Sequence, residues 1–238
     1  ALLSTTIKFD GSLVMQVTGN GPVTMLVVQA DGDRHLRGLA HWDGEVPESD
    51  LKTQFGDAKM VITIDPGKGK ERYQGIVELM GNNLADALRE YFTRSEQLPT
   101  RLWLCADEDH AAGILLQALP GEAPDPDAWD RAIALAETVT DQELLKLPAT
   151  ELIHRLYHEE DVRLFEREPV SFRCSCSAER VENMIRNLGA EEAKDIIAEE
   201  GGIHVSCEFC NAQYYYDMVD VEALFTEIKG GTESKTLH

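Results

Sequence analysis

The sequence has few basic residues and no long apolar run, and each absence argues against a class of function. Its 22 Lys and Arg residues stand against 43 Asp and Glu residues, which gives a net charge of -21. Such a charge repels phosphate backbones and anionic lipid surfaces, so nucleic acid is not an expected partner. No stretch approaches the ~18 apolar residues of a membrane-spanning helix, so an integral membrane protein is not expected either.

The sequence also lacks the motifs of common enzymes and of exported proteins. "GKGKERYQG" has no closing Lys-Ser/Thr pair of a phosphate-binding loop, so it predicts a hairpin turn. No Gly-x-Ser-x-Gly elbow is present. The first residues, "ALLSTTIKFD", have neither the charged region nor the long apolar stretch of a signal peptide. We therefore expect a cytoplasmic protein without enzymatic turnover.

The first half of the chain predicts an antiparallel, sheet-rich α+β domain. Residues 4–65 alternate as strands separated by tight turns, with a hairpin signal at Asp10-Gly11 that follows Ile7 and Phe9. Asn83 predicts the cap of a helix with one apolar face. Further strands are predicted in "MVITID", "ERYQGIVEL", "TRLWLCAD" and "AAGILLQAL". We place this core domain over residues 1–120.

A helical linker is predicted over residues 121–173. It begins with "PGEAPDPD", where the prolines break the strand pattern. Thr140 and Glu143 form a capping box, Pro148 ends the helix that follows, and Thr150 is expected to cap the next. The apolar stripes of these helices are narrow, so we expect their stability to depend on docking against another surface.

Four of the five cysteines form two close pairs near the end of the chain. Cys174 and Cys176 are separated by one residue, and Cys207 and Cys210 by two. Four thiolates are the number that closes a tetrahedral zinc site. We therefore predict that these cysteines, when reduced, hold one Zn²⁺. With no open coordination position, such an ion would not activate a water, which argues against a hydrolytic zinc enzyme.

The predicted zinc module, residues 174–229, is small and rich in acidic residues, with few large apolar ones. In such units the free energy of metal binding, ~10–16 kcal/mol in zinc-finger peptides, is in effect the folding free energy. We expect the module to unfold when the metal leaves. Residues 230–238 are expected to form a disordered tail.

The residues alone leave the role of the four sulfurs open. Their number is most typical of a static zinc-stabilised interaction module, although the Cys-x-Cys half differs from a common zinc ribbon. Zinc-bound thiolates are also the oxidisable form of cysteine, which permits a reversible redox switch. A dithiol oxidoreductase using Cys207 and Cys210 would need a thioredoxin-like βαβ context, which the pattern lacks. A secreted disulfide framework is disfavoured by the missing signal segment.

Several longer segments resemble one known family. They include "IKFDG", "ERYQGIVEL", "EYFTRSEQLPTRLWL", "LLKLPATELIHRLYHEEDVRLFE", "RCSCS" and "CEFC", and they occur in the family's order. On these segments the chain resembles the family of the 33 kDa chaperonin, the thirty-three-kilodalton heat-shock protein, a redox-regulated bacterial holdase. The resemblance extends over almost the entire chain.

The resemblance implies a mechanism. Members of the family are inactive when their reduced cysteines hold zinc, and peroxide-type oxidants or hypochlorous acid, together with unfolding stress, drive disulfide formation. Carried over, the pairs are Cys174 with Cys176 and Cys207 with Cys210. Loss of zinc unfolds the module and then destabilises the linker, and the uncovered surface binds unfolding client proteins, generally as a homodimer. The family also has residues ahead of "LLSTTIKFDG", so the chain is expected to lack part of that N-terminal segment.

Weaker signals receive structural interpretations. His154 and His158 have the i, i+4 spacing of metal ligands on a helix, but without a third ligand they are expected to be solvated or capping residues. Cys105 is expected to be a buried residue rather than a fifth redox thiol. The tyrosines in "YYY", residues 214–216, could stack on a base, but packing within a strand is expected.

Overall fold

The computed structural model describes residues 1–6, 10–67, 69–93, 98–121 and 125–230, with only the backbone for residues 227–230. The predicted strand residues Ile7 and Phe9 and the predicted disordered tail from residue 231 onwards lie outside the described residues. The chain divides into two compact units, Ala1–Phe172 and Arg173–His238. The finer division into core, linker and zinc module stays a prediction.

The first unit is built on a six-stranded sheet, a separate hairpin and short helices. The sheet strands are β1 (Ser12–Thr18), β2 (Val23–Asp31), β3 (His35–Trp42), β4 (Lys59–Asp65), β5 (Tyr73–Glu78) and β8 (Ser171–Phe172). The hairpin consists of β6 (Thr100–Ala106) and β7 (Ala111–Gln117). The helices are α1 (Leu2–Thr6), α2 (Leu51–Phe55), α3 (Leu84–Tyr91), α4 (Ala128–Ala136), α5 (Asp141–Lys146) and α6 (Ala149–Tyr157).

The strand order of the sheet is β5-β4-β1-β2-β3-β8, with antiparallel pairing from β5 to β3. Alternation along β1 buries Leu13 and Val17, and Val17 lies opposite Leu26 on one side and Met60 on the other. The predicted α+β class with an antiparallel sheet is confirmed. One strand pair is parallel: β8 runs parallel to β3 and adds a two-residue edge strand that the sequence pattern does not indicate.

Helix α3 covers one face of this sheet. The side chain of Asn83 accepts a hydrogen bond from the backbone N–H of Asp86, which confirms the predicted cap. The buried face of the helix carries Leu88 and Tyr91 into the main apolar cluster. Tyr91 approaches the sheet at Gly75, where a β-carbon would lie only 2.8 Å from the tyrosine ring. Only glycine permits this contact between the ring and the strand.

Three local predictions need correction. The predicted strand from residue 4 is wrong at its start, since Ser4 lies in helix α1 and its hydroxyl donates to the carbonyl of Ala1. Helix α2 was not predicted, because residues 4–65 were assigned to strands and turns; the side chain of Asp50 caps it. Thr150 does not cap α6 but lies within its first turn, because the carbonyl of Pro148 already accepts the N–H of Leu152.

The linker helices dock on the β6–β7 hairpin. The capping box between Thr140 and Glu143 is present at the start of α5. The buried residues of this contact are Leu144, Leu152 and Leu156. The partly buried hairpin residues Trp103 and Ile114 pack against them. The expected dependence of these helices on another surface therefore has a structural basis. Among the described residues, no helix is both long enough and apolar enough to cross a membrane.

Substitution Leu152→Ala is expected to loosen the linker helices selectively. Truncating a buried leucine to alanine lowers the free energy of unfolding by about 2–5 kcal/mol. Leu152 is one of the three buried leucines in the contact with the hairpin. Amide hydrogen exchange should show faster exchange in α6, with little change in β1 or β4. His154→Ala, on the exposed face of the same helix, is the matched control and should leave the exchange rates unchanged. Equal effects of both substitutions would contradict the docking role of Leu152.

Candidate metal and redox site

The second unit, which carries the four paired cysteines, consists of three helices and a hairpin. Its elements are α7 (Ala178–Leu188), α8 (Ala190–Glu200), β9 (Ile203–Ser206), β10 (Gln213–Tyr216) and α9 (Met218–Gly230). They share a cluster of eight buried residues, namely Val181, Ile185, Ala193, Ile197, Ile203, Tyr216, Val221 and Leu224. The sequence indicated few large apolar residues in this region, and the structure gathers these eight residues into one core. Whether folding of the unit also requires a metal stays a prediction.

Cys174 and Cys176 lie on the segment that leads into α7. The side chain of Ser177 caps this helix by accepting a hydrogen bond from the backbone N–H of Arg180. The cap fixes where the helix begins and so holds the preceding residues outside it. With one residue between them in a non-helical segment, the two cysteines can direct their sulfurs to the same side.

Cys207 and Cys210 lie at the tip of the β9–β10 hairpin. The carbonyl of Cys207 accepts hydrogen bonds from the backbone N–H groups of Cys210, at 3.3 Å, and Asn211, at 2.7 Å. The N–H of Cys207 donates to the carbonyl of Ala212, at 2.9 Å. Asn211 closes the turn with a φ of 57°, in the left-handed region. This turn brings the two sulfurs of the Cys-x-x-Cys segment together.

The four sulfur atoms form one cluster, as the spacing predicted. Each lies within 4.8 Å of the other three, and none of these four described cysteines forms a disulfide. The Sγ atoms of Cys174 and Cys207 are 3.5 Å apart, and those of Cys176 and Cys210 are 3.3 Å apart. A tetrahedral zinc ion with bonds of ~2.3 Å would place its sulfurs ~3.8 Å apart. The donor set and its spacing therefore fit a single thiophilic ion.

Contacts within the cluster shift the pKa values of its thiols in opposite directions. Burial raises the pKa of Cys174, but hydrogen bonds from the backbone N–H of Cys176 and from the other three thiols outweigh burial and lower that pKa to about 6. The backbone N–H of Ala212 lowers the pKa of Cys210, yet the neighbouring sulfurs, Cys176 above all, raise it to about 12. A second negative charge beside an existing thiolate is unfavourable, which accounts for this divergence. A divalent cation among the sulfurs would remove the penalty.

Tyr214 belongs to the site, although the sequence pattern assigned it only to strand packing. Its hydroxyl donates a hydrogen bond to Sγ of Cys176, at 3.3 Å. This bond is the main cause that raises the pKa of Tyr214 to about 12. Tyr216, two residues further, is buried in the apolar cluster and confirms the packing interpretation for that position.

The other candidates lie apart from the cysteine cluster in the first unit. Cys105 is half-buried, and burial followed by the charges of Asp141 and Asp107 raises its pKa. His154 and His158 stack with ring centroids 6.0 Å apart, and both are exposed. Neither histidine belongs to a group of possible metal ligands among the described residues.

One further group of possible ligands was missed from sequence. Asp31, Asp33 and His35 bring ligand atoms together at the β2–β3 turn. Asp31 is already occupied there, because its carboxylate accepts hydrogen bonds from the backbone N–H groups of Asp33 and His35 and contacts the His35 ring. We interpret the group as part of the turn.

Comparison with known proteins identifies the family. Residues 1–217 match the family model described as Hsp33 protein. The chain belongs to the Hsp33 family. A 33 kDa chaperonin of Nitrosococcus oceani is 54% identical over 100% of this chain and 82% of its own length. A 33 kDa chaperonin of Methylobacillus flagellatus is 49% identical over 95% of this chain and 78% of its own length.

A solved structure agrees in fold. The crystal structure of a 33 kDa chaperonin, a heat shock protein 33 homolog from Thermotoga maritima, matches with a TM-score of 0.81. The match covers 96% of this chain and 82% of that one at 21% identity, which supports the Hsp33 fold. The family resemblance inferred from the quoted segments is confirmed, and with it the chaperone class of the relatives.

Substitution Asn211→Ala is expected to weaken metal binding. A left-handed residue with a β-carbon costs about 1 kcal/mol or more, whereas asparagine tolerates this conformation better. Because metal binding is coupled to the folded turn, that cost corresponds to a roughly fivefold loss of affinity. Competition with a chromophoric chelator for Zn²⁺ measures the change. Asn211→Gly should retain the affinity, and an equal loss in both variants would show that backbone conformation is not the cause.

Proposed function

We propose that this protein is a redox-regulated holdase chaperone that is inactive when reduced and zinc-bound. The observation that supports the proposal is the gathering of four cysteine sulfurs, none of them in a disulfide, within 4.8 Å of one another in a separate compact unit of an Hsp33-family chain. Its relatives are named chaperonins, and none of the names describes an enzyme. The proposed activity is binding of unfolding proteins without turnover.

We propose that Cys174, Cys176, Cys207 and Cys210 hold one Zn²⁺ in the reduced protein. Thiolates are soft ligands, and a set of four within 4.8 Å of one another suits zinc better than harder ions. The ion would neutralise the repulsion among the sulfurs and tie the segment before α7 to the β9–β10 hairpin. Four protein ligands leave no position for a water, so the proposed role is structural.

Oxidation would convert the four thiolates into two disulfides. In each pair, one thiolate attacks peroxide, releases hydroxide and becomes a sulfenic acid. The neighbouring sulfur then attacks this sulfenic sulfur, forms the disulfide and releases a second hydroxide. Two peroxides thus accept the four electrons that the four thiolates lose. The disulfides leave no thiolate to hold the ion.

We propose that the disulfides pair Cys174 with Cys176 and Cys207 with Cys210, as the family resemblance implies. The two sulfur separations given above run instead between the two halves of the site, from Cys174 to Cys207 and from Cys176 to Cys210. A tetrahedral arrangement makes all six separations similar, so proximity in the reduced state does not select the pairing. The sequence neighbours stay close when the unit loosens, which favours the proposed pairs.

The signal is proposed to spread through the chain into the linker helices. Strand β8 ends at Phe172, and only Arg173 separates it from Cys174 in sequence. It adds only two paired residues to β3. We propose that release of β8 and the following unit destabilises α5 and α6, which a cluster of only three buried residues holds on the hairpin. Their departure would expose Trp103 and Ile114 to client proteins, and we propose that the oxidised form binds clients as a homodimer.

We propose that the protein acts in the bacterial cytoplasm, because a resting zinc–thiolate site needs a reducing compartment. The net charge of -21 supports client proteins rather than nucleic acid as partners. A dithiol oxidoreductase is not favoured, since the second unit surrounds Cys207 and Cys210 with an antiparallel hairpin instead of a βαβ unit.

Peroxide treatment is expected to activate the protein in an aggregation assay. Light scattering of a heat-unfolding client should fall strongly with oxidised protein and little with reduced, zinc-loaded protein. Cys105→Ser should behave like the wild type, because the raised pKa of Cys105 keeps it protonated and unreactive. Cys207→Ser should lose zinc and its redox response together. Equal suppression of aggregation by both redox forms of the wild type would contradict the switch.

Oxidation is also expected to release one zinc per chain and to form two local disulfides. A chromophoric chelator measures the zinc, and proteolysis followed by mass spectrometry identifies the pairs. Peptides linking Cys174 to Cys207, or Cys176 to Cys210, would show that the proposed pairing is wrong. Zinc that stays bound under mild oxidant would instead favour a static zinc-stabilised interaction module.

A further inference from the structure

Three consecutive tyrosines on β10 donate hydrogen bonds to three different acceptors. The hydroxyl of Tyr214 donates to Sγ of Cys176, at 3.3 Å. Those of Tyr215 and Tyr216 donate to backbone carbonyls, at Gly201 and Ala178 respectively. Only the first of the three reaches a sulfur of the candidate site. The three neighbours therefore provide a natural comparison within one strand.

The position of Tyr214 is set by the hairpin. It lies opposite Val205 in the β9–β10 pair, and its half-buried ring packs against the apolar cluster of the second unit. Two residues further, Tyr216 is buried in the same cluster and anchors the strand. The ring is thus held by strand pairing and by packing. Its hydroxyl connects the hairpin, which carries Cys207 and Cys210, to Cys176 on the other half of the site.

A hydroxyl that donates to a thiolate changes the chemistry of the sulfur. The hydrogen bond withdraws electron density from the sulfur, so the thiolate becomes a weaker nucleophile toward peroxide. Hydrogen bonds of this kind also orient ligands around a metal, and their loss changes metal affinity or reactivity by roughly 10- to 100-fold. Sγ of Cys176 is further in contact with Sγ of Cys210, so its reactivity bears on both halves of the cluster.

We propose that Tyr214 is a positioning residue that restrains the Cys176 thiolate and thereby sets how readily oxidant opens the site. The proposal rests on the redox switch proposed above and deepens it. The hydroxyl neither binds the metal nor takes part in electron transfer. It acts through the sulfur of Cys176, by holding it toward the hairpin and by lowering its nucleophilicity.

The test compares tyrosine-to-phenylalanine substitutions at the three positions in zinc-loaded, reduced protein. Tyr214→Phe is expected to release zinc under excess peroxide roughly tenfold faster than the wild type, measured with a chromophoric chelator. Tyr216→Phe removes a buried hydroxyl that bonds to a backbone carbonyl, and Tyr215→Phe removes a more exposed one. Both controls should release zinc at the wild-type rate. Equal acceleration by Tyr214→Phe and Tyr216→Phe would overturn the proposal, because loss of stability would then explain both.

A spectroscopic measurement separates the hydrogen bond from stability. In protein loaded with Co²⁺, the sulfur-to-cobalt charge-transfer band reports the electron density on the sulfurs. Tyr214→Phe should move this band to longer wavelength, and Tyr216→Phe should leave it in place. A ring-fluorinated tyrosine at position 214 keeps the shape and donates more strongly, so it should slow zinc release. An unchanged band in Tyr214→Phe, or fluorination that does not slow release, would overturn the proposal.

The outcomes distinguish this inference from the switch itself. Wild-type protein that binds zinc but keeps it under peroxide would contradict the proposed switch, while the cobalt band would still decide whether Tyr214 acts on Cys176. If the wild type releases zinc under peroxide and all three variants release it at the wild-type rate, the switch is retained and the role of Tyr214 is rejected.

Discussion

Mutual repulsion of four sulfur atoms is the constraint on which the second unit depends. The sulfurs lie within 4.8 Å of one another, and like charges at such separations repel. The four cannot all be thiolates without a cation, as the lowered pKa of Cys174 and the raised pKa of Cys210 indicate. A divalent ion or conversion to neutral disulfides relieves the repulsion. These are the two end states of the proposed switch.

Apolar burial is distributed unevenly along the chain, and this determines which part of the first unit opens first in the proposed switch. The main cluster of the first unit contains ten buried residues, whereas the contact of the linker helices with the β6–β7 hairpin contains three. The second unit has eight buried residues of its own. Regions with few buried apolar contacts open at the lowest free energy. The linker helices are therefore the part of the first unit best suited to be released while the sheet stays folded.

The sequence predicted the elements whose signals are local. Asn83 capped its helix and Thr140 with Glu143 formed a capping box as expected, because a cap depends on residues three positions apart. The alternating strands were also predicted correctly, because alternation is a pattern of neighbouring residues. The start of the chain was assigned to a strand, although the Ser4 hydroxyl bonds to the preceding turn of a helix. The β3–β8 pair could not be foreseen, since it joins His35 to Ser171 across more than half of the chain.

By itself the sequence determined the candidate donor set, since four cysteines at these spacings can supply the ligands of one tetrahedral ion, and the quoted segments identified the family. Only the tertiary structure decided that sulfurs from the two halves of the site are in contact, how charge is divided between Cys174 and Cys210, and which of three adjacent tyrosines reaches Cys176. These interactions join residues 33 to 38 positions apart. Hydrogen-bond and charge interactions act over a few ångströms in space, and distance in space is set by how the hairpin and the segment before α7 are packed, not by order along the chain.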